Sequence, residues 1–271
     1  QALTNGSSYT LTADVSDTAG NTATQVTSSS FSVETIAPTI SGVSLAADNS
    51  TLTVTMSEAV YNTNGGSGSI EMSDFALSIS GGVASINATP STISSSGNEY
   101  TLGLTISGTP NGSETLTVVP SSSSAIYDLA GNAASTTQSN NTVSLNDTSP
   151  PTLSNVSIVS NNTTNTLAKA GDEITLTFTA SETINEPVVT FQSGSSAITD
   201  SSITYTNTSG NTWTAKYTAN ASDTDGSVSF SIAFTDGSNP GTDVTTGSGS
   251  VTFDKTLPTV SSFTLSDSAL K

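Results

Sequence analysis

The chain has 271 residues, of which 33% are hydrophobic and only 10% are charged, and its formal net charge is −18. This charge repels nucleic-acid phosphates, and no apolar run approaches the length of a membrane-spanning helix, so we expect neither a nucleic-acid partner nor membrane insertion. Because the chain lacks histidine and cysteine, the Ser-His-Asp and Cys-His catalytic arrangements and the common zinc sites are impossible, and we expect no enzymatic activity.

A short phrase that ends in Pro-Thr occurs three times and divides the chain. It reads Glu34-Thr-Ile-Ala-Pro38-Thr, Asp147-Thr-Ser-Pro-Pro151-Thr and Asp254-Lys-Thr-Leu-Pro258-Thr, so the prolines are 113 and 107 residues apart. Such a period matches one compact domain per repeat. We therefore predict the C-terminal part of a repeat at 1–37, complete repeats at 38–149 and 150–257, and the start of a following repeat at 258–271. A partial repeat cannot bury its apolar face alone, so we expect the chain to be a segment of a longer protein, unless another chain supplies the missing strands.

Short runs of alternating apolar and polar residues predict strands throughout the chain, with Gly and Asn clustered between them. In the first partial repeat the runs are 9–15 and 28–33. In the first complete repeat they are 40–45, 51–56, 74–79, 83–88, 99–106, 114–119 and 141–145. In the second complete repeat they are 153–158, 173–179, 187–192, 197–205, 212–218, 227–234 and 248–253. Seven strands per complete repeat, without helical periodicity, predict an all-β fold of tandem seven-stranded immunoglobulin-like Greek-key β-sandwiches.

Two further phrases recur in a fixed order within the repeats. Asp17-Thr-Ala-Gly-Asn21 and Asp128-Leu-Ala-Gly-Asn132 stand late in their repeats, and Met56-Ser-Glu58 and Ala180-Ser-Glu182 follow the second strand. Together with the Pro-Thr phrase, this set resembles the bacterial immunoglobulin-like (Big) repeats of giant secreted and cell-surface adhesins. The second complete repeat departs from the pattern, because Asp236-Gly-Ser-Asn-Pro-Gly-Thr-Asp243 replaces the Asp-X-X-Gly-Asn phrase. The resemblance implies an extracellular, cell-surface location and calcium sites between domains.

Strand parity predicts that acidic residues meet at one end of each repeat. In an antiparallel sandwich, the loops after the second and sixth strands return to the end at which the chain enters. In the first complete repeat, this predicts a cluster of Glu34, Glu58 and Asp128. In the second, it predicts a cluster of Asp147, Glu182 and either Asp236 or Asp243. Asp17 is the matching acid of the N-terminal partial repeat.

Clustered carboxylates favour a bound divalent cation. Two carboxylates about 4 Å apart repel by roughly 4 kcal/mol at an effective dielectric constant near 20, and the chain has only four lysines and no arginine to relieve this repulsion. Ca²⁺ accepts about six to eight oxygen ligands, and extracellular modules bind it with dissociation constants of about 10⁻⁴ to 10⁻³ M. We therefore predict that these acids are calcium ligands. The alternative is that they are solvated loop charges, and Gly131 and Asn132 can form a tight turn that needs no metal.

The expected function is mechanical. Tandem β-sandwiches, made rigid by Ca²⁺ at their junctions, would form the stalk of a large adhesin, and their partners would be the neighbouring repeats. One alternative is a self-assembling filament or surface-layer subunit, in which strands such as 9–15 and 28–33 pair with other copies of the chain. Another is a carbohydrate-binding module, whose glycan platform would draw on the aromatic residues Tyr61, Tyr100, Tyr127 and Trp213. By default, Trp213 and Tyr217, which lie on one face of their strand, are expected in the core.

Overall fold

The computed structural model describes residues 2–200, 202–264 and 266. Contacts within the chain divide it into two units, Gln1–Thr148 and Ser149–Lys271. The finer division into two complete and two partial repeats stays a prediction. Among the described residues, no helix has the length and apolar composition needed to cross a bilayer.

The first unit opens with a long, irregular hairpin. Its strands are β1 (Ser8–Tyr9), β2 (Thr12–Ala13), β3 (Val26–Thr27) and β4 (Phe31–Ser32). β1 pairs with β4 and β2 pairs with β3, both antiparallel, so the predicted strands 9–15 and 28–33 pair with each other within this chain. The hairpin ends in a tight turn at Asp17, and Leu11, Val15 and Val26 along it are exposed.

The rest of the first unit is a β-sandwich. Its strands are β5 (Ile40–Leu45), β6 (Thr51–Met56), β7 (Phe75–Ser80), β8 (Ser85–Ile86), β9 (Ile93–Ser96), β10 (Glu99–Gly103), β11 (Ile106–Ser107), β12 (Thr115–Pro120) and β13 (Thr142–Ser144), and a 3₁₀-helix spans Met72–Asp74. One sheet has the order β5-β6-β10-β9 and the other has the order β13-β12-β7, while β8 and β11 form a separate ribbon. This four-on-three strand order is that of a constant-type immunoglobulin domain.

The second unit repeats this plan with longer strands. They are β14 (Leu153–Ser160), β15 (Leu167–Ala168), β16 (Glu173–Ala180), β17 (Val188–Ser193), β18 (Ser196–Ala197), β19 (Thr204–Ser209), β20 (Thr212–Thr218), β21 (Gly226–Ala233) and β22 (Thr252–Phe253). Its sheets have the orders β14-β16-β20-β19 and β15-β22-β21-β17-β18. The prediction of an all-β fold of immunoglobulin-like sandwiches is thereby confirmed.

Side-chain alternation explains why each unit closes into a sandwich. Along β6, Leu52, Val54 and Met56 are buried and the intervening threonines are partly exposed, which is the pattern of a strand covered on one face. Residues from both sheets meet in one core cluster per unit. Tyr217 is buried in the core of the second unit and Trp213 packs against it, as predicted.

The strand prediction missed β9 at the edge of the first sheet. The sequence there is Ile-Ser-Ser-Ser, with only Ile93 partly buried. An edge strand that buries little apolar surface produces little apolar alternation, so periodicity alone does not detect it.

Candidate metal centre

Hydrogen bonds fasten the linker ahead of each complete sandwich to the loop that follows the second strand of that sandwich. In the first unit, the Thr39 N–H donates to Ser57 Oγ (3.0 Å), and the Ser57 N–H donates to the Thr39 carbonyl oxygen (2.8 Å). In the second unit, Thr152 and Ser181 form the same pair at 3.0 and 2.9 Å. The Pro-Thr and Ser-Glu phrases therefore recur together because they bind each other, and each Ser sets the position of the Glu that follows it.

The Asp-X-X-Gly-Asn phrase forms a closed turn around its Asp. Asp128 Oδ1 accepts from the Asn132 N–H (2.8 Å) and Oδ2 accepts from the Asn132 side-chain amide (2.7 Å). Gly131 has φ = +92°, a conformation that glycine adopts without strain. Asp128 is only 1% exposed, yet each of its oxygens keeps lone-pair capacity for a further ligand.

The glycine-rich stretch of the β6–β7 loop allows that loop to close on the β12–β13 loop. A Cβ on Gly66 would overlap the Leu129 side chain, and a Cβ on Gly131 would overlap the Asn64 side chain. Backbone hydrogen bonds in both directions between Tyr61 and Tyr127, each 2.8 Å, join the two loops. These contacts bring the two acid-bearing loops of the first sandwich together.

Glu34, Glu58 and Asp128 line one open pocket of about 400 Å³ in the first unit, with Ser32, Leu129 and Ala130. Partial burial raises the pKa of Glu58, and the nearby carboxylates of Asp128 and Glu34 raise it further. No lysine or arginine occurs before Lys169, so no basic side chain of this unit can neutralise the pocket. Side-chain and carbonyl oxygens with an unbalanced negative charge are the donor set that Ca²⁺ prefers.

Glu34 is exposed and differs from the other two acids in its local bonding. Its Oε1 accepts from the Thr35 and Ile36 N–H groups at 2.9 and 2.8 Å. Its carbonyl oxygen accepts from the side-chain amide of Asn132 at 3.2 Å. Glu34 therefore contributes its carboxylate to the pocket, and its backbone carbonyl is bound to the β12–β13 loop.

In the second unit, Asp236 takes the position that Asp128 has in the first. Asp236 Oδ1 accepts from the N–H groups of Ser238 and Asn239, both at 2.6 Å, and Oδ2 accepts from the Asn239 amide at 2.9 Å. Gly237 has φ = +111°. The phrase Asp236-Gly-Ser-Asn is thus a one-residue-shorter version of the same turn, which the sequence pattern did not identify.

Glu182 and Asp236 each offer a carboxylate oxygen within 4.8 Å of the other. Asp243, the other acid that the sequence left open, is exposed and lines a separate pocket with Pro150, Pro151 and Phe234. The choice between Asp236 and Asp243 therefore falls on Asp236 as the neighbour of Glu182.

Asp147 and Asp17 stand apart from the pocket of the first unit. Asp147 lies in the segment that ends this unit, where the Thr148 N–H donates to the Pro110 carbonyl (3.0 Å) and Asn146 exchanges hydrogen bonds with Asn49. Asp17 forms the same closed turn as Asp128 at the exposed tip of the N-terminal hairpin. Its oxygens accept hydrogen bonds from the side-chain amide and N–H of Asn21 and from the Ala19 N–H, and these bonds lower the pKa of Asp17.

The aromatic residues considered for a glycan platform are not exposed. Tyr100 is buried in the core of the first unit, and Trp213 packs against the core of the second. Tyr61 and Tyr127 are partly buried and bridge the two loops. Tyr100 is therefore the most buried of the four rings, and the other three keep part of their surface in solvent.

Comparisons with known proteins give structural neighbours of low similarity. No protein-family model and no curated protein matches the chain. A solved chimeric titin Z1Z2 functionalised with a KLER exogenous peptide from decorin is 15% identical, with 83% of this chain and 100% of that chain covered and a TM-score of 0.25. The titin domains Z1Z2 in complex with telethonin are 17% identical, with 84% and 100% covered and a TM-score of 0.24. The immunoglobulin-like assignment rests on the strand order within each unit.

Proposed function

We propose that this chain is a stretch of the stalk of a large bacterial surface adhesin, in which calcium stiffens the junctions between immunoglobulin-like repeats. The observation that carries the proposal is the pocket formed by Glu34, Glu58 and Asp128. It combines one acid from the linker with one from each of two loops, in a unit that has no basic residue.

Calcium at this pocket would act on the linker. Glu58 and Asp128 belong to the sandwich, whereas Glu34 belongs to the segment that joins it to the preceding hairpin, so an ion bound to all three would oppose hinging there. At a calcium concentration about a hundredfold above the dissociation constant, such an ion would stabilise the folded arrangement that binds it by about 2.7 kcal/mol relative to arrangements that do not.

We extend the proposal to the second repeat by analogy between the repeats. Asp147 has the same place relative to Pro151 as Glu34 has to Pro38, and Glu182 and Asp236 match Glu58 and Asp128. Asp147 would then be the linker ligand of a second site. The bacterial adhesin family, the extracellular location and the adhesive role of the whole protein belong to this proposal and are supported by the recurring phrases described above.

Calorimetric titration of the metal-stripped chain with CaCl₂ tests the proposal. We expect two weak sites, a higher melting temperature with Ca²⁺ than with Mg²⁺, and a shorter particle in solution scattering after chelation. The paired variant Glu58→Gln/Asp128→Asn should lose one of the two sites. Glu99→Gln is the matched control, because it removes one exposed charge from a strand of the same unit. A chain that binds no calcium at millimolar concentration, or that binds it equally well in the paired variant, would show that the pocket is not a calcium site.

A further inference from the structure

The side-chain amide of Asn132 joins two parts of the first unit that are far apart in sequence. Its Nδ2 donates to Asp128 Oδ2 at 2.7 Å and to the Glu34 carbonyl oxygen at 3.2 Å. Since an amide carries two N–H donors, both bonds can exist at once. One donor closes the local turn, and the other reaches the linker 98 residues away.

Asn21 has the same place in the matching turn around Asp17. Its N–H and its side-chain amide donate to Asp17 at 2.8 Å each, as in the Asp128 turn. In the described part of the chain, no bond from this amide to a linker is found. The closed turn is therefore complete with a single amide bond, and the contact of Asn132 with Glu34 is an addition to it.

We propose that Asn132 is a positioning residue that fastens the linker to the β12–β13 loop without a metal ion. The fastening itself depends only on protein atoms. Its effect on calcium binding rests on the proposed function, because the carbonyl that Asn132 holds belongs to Glu34, the linker acid of the pocket.

Other hydrogen bonds limit how much of the linker stays free to rotate. The Thr35 N–H donates to Asn5 Oδ1 (2.7 Å) on the hairpin side, and Thr39 exchanges two hydrogen bonds with Ser57 on the sandwich side. Between these anchors, Pro38 has a fixed φ. With the Asn132 bond in place, the linker is held to the sandwich at both Glu34 and Thr39, and it is held to the hairpin at Thr35.

Pulsed electron paramagnetic resonance tests this proposal directly. Because the chain has no cysteine, Ser30→Cys and Ser95→Cys place two spin labels, one on the exposed hairpin and one on the exposed edge strand β9. In chelator we expect a broader distance distribution for Asn132→Ala than for the parent, and an unchanged one for Asn21→Ala. With CaCl₂ we expect the distribution of Asn132→Ala to narrow and its calcium affinity to be about three- to tenfold weaker than that of the parent.

The outcomes separate the two proposals. Equal distance distributions for Asn132→Ala and the parent in chelator would show that Asn132 does not fasten the linker, whatever the result with calcium. If Asn132→Ala has a broader distance distribution than the parent in chelator, and calcium does not narrow it, the fastening by Asn132 is supported and the proposed calcium site is contradicted. Asn132→Ser, which keeps a small polar residue at the turn but cannot reach both oxygens, repeats the comparison if the alanine variant does not fold.

Discussion

Glu58 carries a carboxyl group whose ionisation opposes the folding of its own domain. Its pKa is raised by burial and by the carboxylates of Asp128 and Glu34. A carboxyl group whose pKa is higher in the folded state favours folding while it is protonated. Its contribution is full below the unfolded pKa of about 4.3 and is lost as the pH rises through the folded pKa. At neutral pH and without metal, ionised Glu58 therefore destabilises the fold.

Glu58→Gln should consequently raise stability in chelator and lower it in calcium. In chelator at pH 7 we expect a gain of about 0.5 kcal/mol, the size usual for partly exposed charge interactions. In excess CaCl₂ we expect the order to reverse, because the variant loses a ligand. Thermal unfolding of both proteins in the two buffers measures this, and at pH 4 the difference in chelator should shrink.

The informative result is the change of sign. Glu99→Gln also removes one negative charge, and it should change the stability by the same amount in chelator and in calcium. If Glu58→Gln lowers stability equally with and without calcium, its role is one of packing and the electrostatic account of the pocket is wrong.

At the scale of elements, buried polar side chains fix the loops whose backbone groups are not paired in a sheet. Glu114, at the start of β12, is fully buried. Its Oε1 accepts from the Val83 and Ala84 N–H groups at 2.9 and 3.1 Å, and its Oε2 accepts from the Asn111 N–H at 3.0 Å. Burial by itself raises the pKa of this carboxyl, but the backbone donors outweigh burial and hold the pKa below its ordinary value.

Replacing Glu114 with Gln should lower the free energy of unfolding of the first unit by about 1–3 kcal/mol, because an amide NH₂ would face backbone donors in a buried site. A group with a depressed folded pKa stabilises above its unfolded pKa, and this contribution is lost as the pH falls through the folded pKa. The gap between parent and variant should therefore narrow below about pH 4. Urea unfolding at pH 7 and pH 3.5 provides the comparison, and exposed Glu99→Gln should stay within about 0.5 kcal/mol of the parent. An equal loss at both pH values would mean that shape, and not the charged acceptor, matters at this position.

At the scale of the whole molecule, stability is divided between two separate cores. The cluster that contains Leu52 and Phe75 lies in the first unit, and the cluster that contains Phe178 and Phe191 lies in the second. Each cluster draws on both sheets of its own sandwich. The two units should therefore unfold as separate transitions in chelator.

Leu52→Ala in chelator should lower the transition of the first unit alone. Leu52 has no exposed surface, and such a truncation costs about 2–5 kcal/mol. Leu176→Ala, at an equally buried position of the second unit, should lower only the other transition. Differential scanning calorimetry resolves the two unfolding transitions and shows which of them each variant lowers. A single transition that moves as a whole in both variants would show that the cores are coupled without metal.

Local pattern determined much of the architecture of this protein. Alternation located 40–45, 51–56 and 212–218 at the observed strand bounds, because a strand covered on one face needs apolar residues at every second position. Strand parity also predicted that Glu58 and Asp128 share a pole, since in an antiparallel sandwich the number of strands alone decides at which end a loop falls. The chemistry of the candidate ligands was likewise readable from residue type.

Only the tertiary structure decided which atoms meet. The bond from Asn132 to Glu34 spans 98 residues and leaves no periodic trace in the sequence, and the pairing of Ser57 with Thr39 is visible only once the linker lies against the loop. Asp236 is held in a turn closed by Asn239 and lies near Glu182, although Asp236 and Asp243 look alike in the sequence. Residue type and strand order set which groups can approach, and the packing of loops with irregular backbone decides which of them do.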